Sequence, residues 1–242
     1  MKQNSENNIK IAGVDKNRLC FICPSKSRIE ELERLISSFI ENSTIADLYI
    51  VIDRDDVEYS NHFTNDVIEK YKEDQVFFII NDIDFNGAFL HILNHYAMEK
   101  IHDYDYIGFL EDDIYIKTDG YDTAIMNCGD YDVIYTNDLL NCPRLVSIPV
   151  IKTDVISKLG YYSPPQLKCL WADYFWKILG EELNSIKYLE DVYLIHEHFS
   201  RNDNEKVIDP IAANIDVLGK SDFISWTSNR ESIIKDMKEK LS

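Results

Sequence analysis

Between Arg18 and Leu110 four apolar runs alternate with three segments of helical period, and this alternation restricts the fold more than any other feature. Arg18–Cys23 is a short apolar run ended by Pro24 and reads as a buried strand. From Ser27 the residues Ile29, Leu32, Leu35/Ile36 and Phe39/Ile40 recur at helical spacing, and Ser27 with Glu30 resembles a capping box. Ala46–Ile52 follows as a strand, His62–Tyr71 as a helical segment, Gln75–Ile80 as a strand, Ala88–Ile101 as a helix and Tyr104–Leu110 as a strand. Strand and helix in turn predict an α/β fold whose mainly parallel sheet is flanked by helices on both faces.

Past residue 120 the pattern loosens. Tyr131–Thr136 and Leu145–Ile151 read as strands, Thr153–Leu159 as a short helix closed by Gly160, and Cys169–Leu183 as a helix after the turn-rich Tyr161–Pro165. Ile186–Ile195 is a strand running into His196-Glu197-His198. With 242 residues, 45% of them hydrophobic, and only eight glycines and six prolines, the chain is globular and long enough to bury a substantial core.

Charge and cysteine usage exclude several classes. Twenty-five Lys plus Arg stand against 43 Asp plus Glu, a net charge of −18, so the average surface repels phosphate polymers and anionic lipid. Bulk duplex nucleic acid is therefore not an expected partner. Cys20 and Cys23 have CxxC spacing, but on a strand they point to opposite faces, and no second pair completes a zinc site. The five cysteines are expected to be reduced thiols. The first ten residues are polar and lack the apolar core of a secretory signal, and no apolar stretch approaches the roughly 20 residues that span a bilayer, so a cytoplasmic protein without a transmembrane segment is expected.

In a parallel α/β sheet ligands bind beyond the carboxyl ends of the strands. The polar segments there are Pro24-Ser25-Lys26-Ser27-Arg28, Asp53-Arg54-Asp55-Asp56 and Glu111-Asp112-Asp113, which should line one edge. Lys26 and Arg28 near a helix N-terminus suit phosphate. Asp53 can accept hydrogen bonds from a base or ribose, or simply solvate its turn. The three acids 111–113 close an apolar strand, and carboxylates delivered rigidly in this way suit Mg2+ or Mn2+, although acids after a strand also cap and solvate turns. His196 and His198 share a strand face, so one or both can complete a metal site begun by Asp113. Asp173 falls among Trp171, Tyr174, Phe175 and Trp176, where burial would raise its pKa toward values useful to a general base.

The order CPSKSR, VIDRDD, FLEDDI, LWADYFW, IHEHF resembles a GT-A-fold glycosyltransferase of the family 2 kind over about residues 18–210. The resemblance implies a single GT-A-like domain over 1–242, with a nucleotide-binding half at 18–120 and an acceptor-binding half with a C-terminal helix at 121–242. It implies that Pro24, Ser25, Lys26 and Arg28 close over the nucleotide and that Asp53 meets the base, with Asp55 also in the nucleotide site. Asp113 and His198 would hold a divalent metal, Mn2+ or Mg2+, with Asp112 or Glu111 on the ribose. Asp173 would activate the acceptor hydroxyl, with Trp171 at the acceptor. The chain carries EDD in place of DxD, and WAD where many such enzymes have an ED pair. The implied activity is metal-dependent, inverting transfer from a UDP- or GDP-sugar to a hydroxyl of an unknown acceptor; without a carboxylate behind the sugar, retention would be expected. Two other readings share the features: a sugar-phosphate nucleotidyltransferase, although no glycine-rich, lysine-bearing loop follows the first strand, and a non-catalytic nucleotide- or metal-binding protein.

Overall fold

The computed structural model describes residues 19–197 and 210–242, with side chains in the second segment described from Lys220. Eight strands form one sheet: β1 (Leu19–Ser25), β2 (Asp47–Asp53), β3 (Val76–Asn81), β4 (Tyr106–Phe109), β5 (Ile114–Ile116), β6 (Val133–Asn137), β7 (Pro149–Lys152) and β8 (Ile186–His196), in the order β3-β2-β1-β4-β7-β6-β8-β5. Among the described residues eight α-helices accompany them: α1 (Ile29–Asn42), α2 (Val57–His62), α3 (Asn65–Tyr71), α4 (Phe89–Lys100), α5 (Tyr121–Asn127), α6 (Thr153–Leu159), α7 (Ala172–Glu182) and α8 (Pro210–Leu241).

Strands β3, β2, β1 and β4 are parallel neighbours, so the expected alternation holds over the first half of the chain. The second half makes the sheet mixed. β7 runs antiparallel to both β4 and β6, and β5 antiparallel to β8, while β6 and β8 are parallel. The cause lies in the connections: a parallel pair needs a crossover, normally helical, whereas residues 138–148 return from β6 to β7 without a helix. α2 and α3 replace the single helix expected over His62–Tyr71, with Thr64 at the N-terminus of the second. Gly160 ends α6 in the left-handed conformation that its sequence position implied. The capping box at Ser27 does not form. Arg28 is the N-cap of α1 and makes no side-chain cap, while the Ser27 N–H and hydroxyl both donate to Asp56 at 2.8 and 2.9 Å.

Helices cover both faces of the sheet. Cys20, Ile22, Ile107 and Phe109 pack with residues of α4, α6, α7 and α8, and Phe21, Cys23, Ile50 and Ile52 pack with residues of α1, α2 and α5. The two cysteines of the CxxC spacing thus lie in opposite cores, and all five thiols are free. Gly108 on β4 is required by close packing, because a Cβ there would sit 2.3 Å from the Phe21 ring. Among the described residues no helix is long and apolar enough to cross a membrane.

Candidate functional site

The parallel strands β1, β2 and β4 deliver their carboxyl ends to one edge, and a cleft of about 780 Å³ opens there. Pro24, Ser25, Lys26, Arg28, Asp53, Asp55, Glu111 and Asp112 all line it. These eight residues come from three segments more than twenty residues apart in sequence, and the register of the sheet brings them together.

Asp112, which lines the cleft, and its neighbour Asp113 are both buried. Arg28 donates to Asp112 at 2.6 Å and to Asp113 at 3.3 Å, and the Ser25 hydroxyl donates to Asp112 at 2.6 Å. Behind them Tyr59, fully buried on α2, hydrogen bonds Ser25 and accepts the Arg28 N–H at 3.1 Å. Burial pushes the Asp112 pKa up to about 7, against the pull of Arg28 and Ser25. Arg28 is held above its ordinary range because the charges of the two aspartates outweigh its desolvation.

A fourth strand, β8, reaches the site. Ile114 pairs with His196 in the β5–β8 ladder, and the Glu197 N–H donates to the Asp113 carbonyl at 2.9 Å. This register places the His196 Nε2 at 3.2 Å from Asp113 and 3.4 Å from Glu111. Burial alone would lower the His196 pKa; hydrogen bonds to Asp113 and Glu111 outweigh it and carry the value up to about 10. The same contact, with Arg28, holds Asp113 below the usual carboxylate range despite its burial. One ligand atom each from Glu111, Asp113 and His196 lies within 4.8 Å of the others. Two carboxylates and an imidazole at that separation are a donor set for a divalent cation such as Mn2+ or Mg2+. His198 lies outside the described residues; among the described residues His196 is the histidine brought to these acids.

At the far side of the cleft Asp53 is fixed rather than free: Asn81 donates to one oxygen at 2.7 Å and Lys26 to the other at 3.0 Å. Asp55 is exposed and stands 3.8 Å from Lys26. Sequence reasoning missed Asn81 and Tyr59, which with Asp56 orient the lining residues, and Phe89 and Phe109, which form an apolar wall. Asn81 was findable, since it ends the apolar run of β3 at the same edge; nothing in the sequence marked Tyr59.

Asp173 and Trp171 sit at the start of α7 and do not line the cleft itself. Asp173 is half-buried, and burial first and the negative charge of Glu111 second raise its pKa. Its Oδ1 accepts the Tyr174 N–H at 2.9 Å, a helix-start contact. Trp171 adopts a left-handed backbone, φ 72°, and stacks on Tyr174.

Solved glycosyltransferases share this fold. TarS from S. aureus matches with a TM-score of 0.56 and 18% identity, over 82% of this chain and 39% of that one. TarS 1-349 gives 0.54 and 16%, over 82% of this chain and 65% of that one. The mannosyltransferase PcManGT from Pyrobaculum calidifontis, solved in complex with GDP-Man and Mn2+, gives 0.57 and 10%, over 94% and 75%. The chain therefore spans less than two thirds of the length of the TarS structures. At these identities the likeness is one of fold. No protein-family model matches the sequence, and no curated protein does.

Proposed function

We propose that this protein is a divalent-metal-dependent glycosyltransferase that moves a sugar from a nucleoside-diphosphate sugar to an acceptor hydroxyl. The observation that carries the reading is the Glu111, Asp113 and His196 donor set, whose Glu111 lines a cleft built from the carboxyl ends of parallel strands. A neighbour of the same fold was solved with GDP-Man and Mn2+, which supports a donor of this class.

In this reading residues 18–120 hold the nucleotide and 121–242 the acceptor. Asp53, held by Asn81 and Lys26, presents a fixed carboxylate to the base, with Asp55 at the rim. Pro24, Ser25 and Lys26 lie along the phosphates, and Arg28 orients Asp112 and Asp113. Asp112 or Glu111 faces the ribose. A divalent cation bound by Asp113 and His196, with His198 as the alternative imidazole, would act as a Lewis acid toward the charge that grows on the leaving diphosphate. Asp173 takes the acceptor proton as the hydroxyl attacks; its raised pKa supports that role, and direct displacement inverts the anomeric centre. The free thiols fit a cytosolic setting.

Incubation with UDP- and GDP-sugars in Mn2+ and in EDTA tests the proposal by release of the nucleoside diphosphate. Metal-dependent release is expected. Tight nucleotide-sugar binding with no release on any acceptor would leave a binding protein, and a product with retained anomeric configuration would remove Asp173 from its role.

A further inference from the structure

The loop that carries the cleft wall runs directly into an exposed aromatic cluster. Cys169 lines the cleft, and its thiol donates to the Gly87 carbonyl at 3.4 Å. Two residues on, Trp171 stacks against Tyr174 with ring centroids 5.2 Å apart and meets Phe223 of α8 at 5.1 Å. These rings are not sealed into the core: Tyr174 is 41% and Phe223 48% exposed, with Leu170 beside them at 41%.

This surface is held in place at a cost. A bulky residue at positive φ is an outlier that persists only where its surroundings over-determine it, and Trp171 sits at φ 72°. The constraint is Asp222, fully buried on α8, whose carboxylate accepts the N–H groups of Lys168, Cys169 and Leu170 at 3.0, 2.7 and 2.9 Å. Asp222 therefore fixes the loop, and the next residue, Phe223, completes the cluster.

The chemistry of the patch points to one occupant. Asp173 opens the same helix as Tyr174 and its Oδ1 accepts the Tyr174 N–H at 2.9 Å, so a carboxylate stands beside the rings. A pyranose matches that combination, because its C–H face packs flat on an aromatic ring while its hydroxyls donate to carboxylates. Anionic lipid or a polyanionic polymer would meet a chain of net charge −18. We propose that Trp171, Tyr174 and Phe223 form the platform for an uncharged saccharide acceptor, with Asp222 as the positioning residue that holds it. The proposal rests on the transferase reading and names its acceptor class.

Full-length protein, titrated with chitotriose, maltotriose and mannotriose in the presence of GDP or UDP and Mn2+, tests it by saturation-transfer NMR and tryptophan fluorescence. At least one sugar should receive saturation at ring C–H protons. Its affinity should fall about tenfold or more in Trp171→Ala and Phe223→Ala, be largely kept in Trp171→Phe, and be unaccompanied by loss of nucleotide binding. Absence of saturation with every sugar, while nucleotide and Mn2+ still bind, would overturn the platform and leave the transferase reading standing. Failure of nucleotide binding in the unmodified protein would overturn both. A dimer in sedimentation that Phe223→Ala dissolves would assign the patch to a second copy of this chain and overturn the proposal as well.

Discussion

Single side chains at and beside the cleft carry the proposed chemistry, and two of them have separable signatures. His196 is held protonated by Asp113 and Glu111, with its pKa raised from 6.5 to about 10. The folded protein binds that proton more tightly than the unfolded chain, so the stabilisation is complete below pH 6.5 and drains away as pH rises toward 10. In EDTA the melting temperature should therefore decline over this window, and less steeply in His196→Gln; parallel profiles would refute the pairing. Asp173→Asn should leave nucleotide affinity intact and lower turnover by ~10²–10⁴-fold, the range of a general base. A variant that melts earlier but turns over normally per folded molecule would reduce Asp173 to the helix-start contact it makes with Tyr174.

At the scale of elements, legibility followed period and length. The strands of the first half, with α1 and α4, stood out because each carries a clear apolar period, whereas α2 was missed, and the three acid- and base-bearing segments could be placed on one edge from that alternation alone. β5, three residues long, was invisible, yet its pairing with β8 is what brings His196 to Asp113. The capping box failed because Asp56 offered Ser27 a better-placed acceptor across 29 residues, which no local pattern encodes. Another long-range staple is Asp122 on α5, which is fully buried and accepts the N–H groups of Thr44, Ile45 and Ala46 together with the Ser43 hydroxyl. Asp122→Ala would strand four donors between α1 and β2. The loss should be about 3 kcal/mol, or roughly 6–12 °C in melting temperature for a chain of this size. A shift within a degree of the unmodified protein would contradict it.

For the whole molecule, the mixed sheet separates two jobs. Its parallel part gathers the lining of the cleft, and the antiparallel return through β7 leads the chain back so that the end of β8 meets Glu111 and Asp113. Net charge acts at this scale too: with −18 overall, a fluorescence-anisotropy titration with duplex DNA at physiological salt should show no binding. Salt-sensitive submicromolar binding would mean that a local basic surface dominates. In the proposed function Glu111, Asp113 and His196 hold a metal that in turn holds a nucleoside diphosphate. Calorimetric titration of GDP and UDP into the protein and into Asp113→Asn, each with Mn2+ and with EDTA, tests it most directly. One nucleotide should bind the unmodified protein only with Mn2+, and the folded variant should have lost that dependence together with most of the affinity. Equal nucleotide affinity in Mn2+ and EDTA, or an unchanged Mn2+-dependent affinity in Asp113→Asn, would contradict the account.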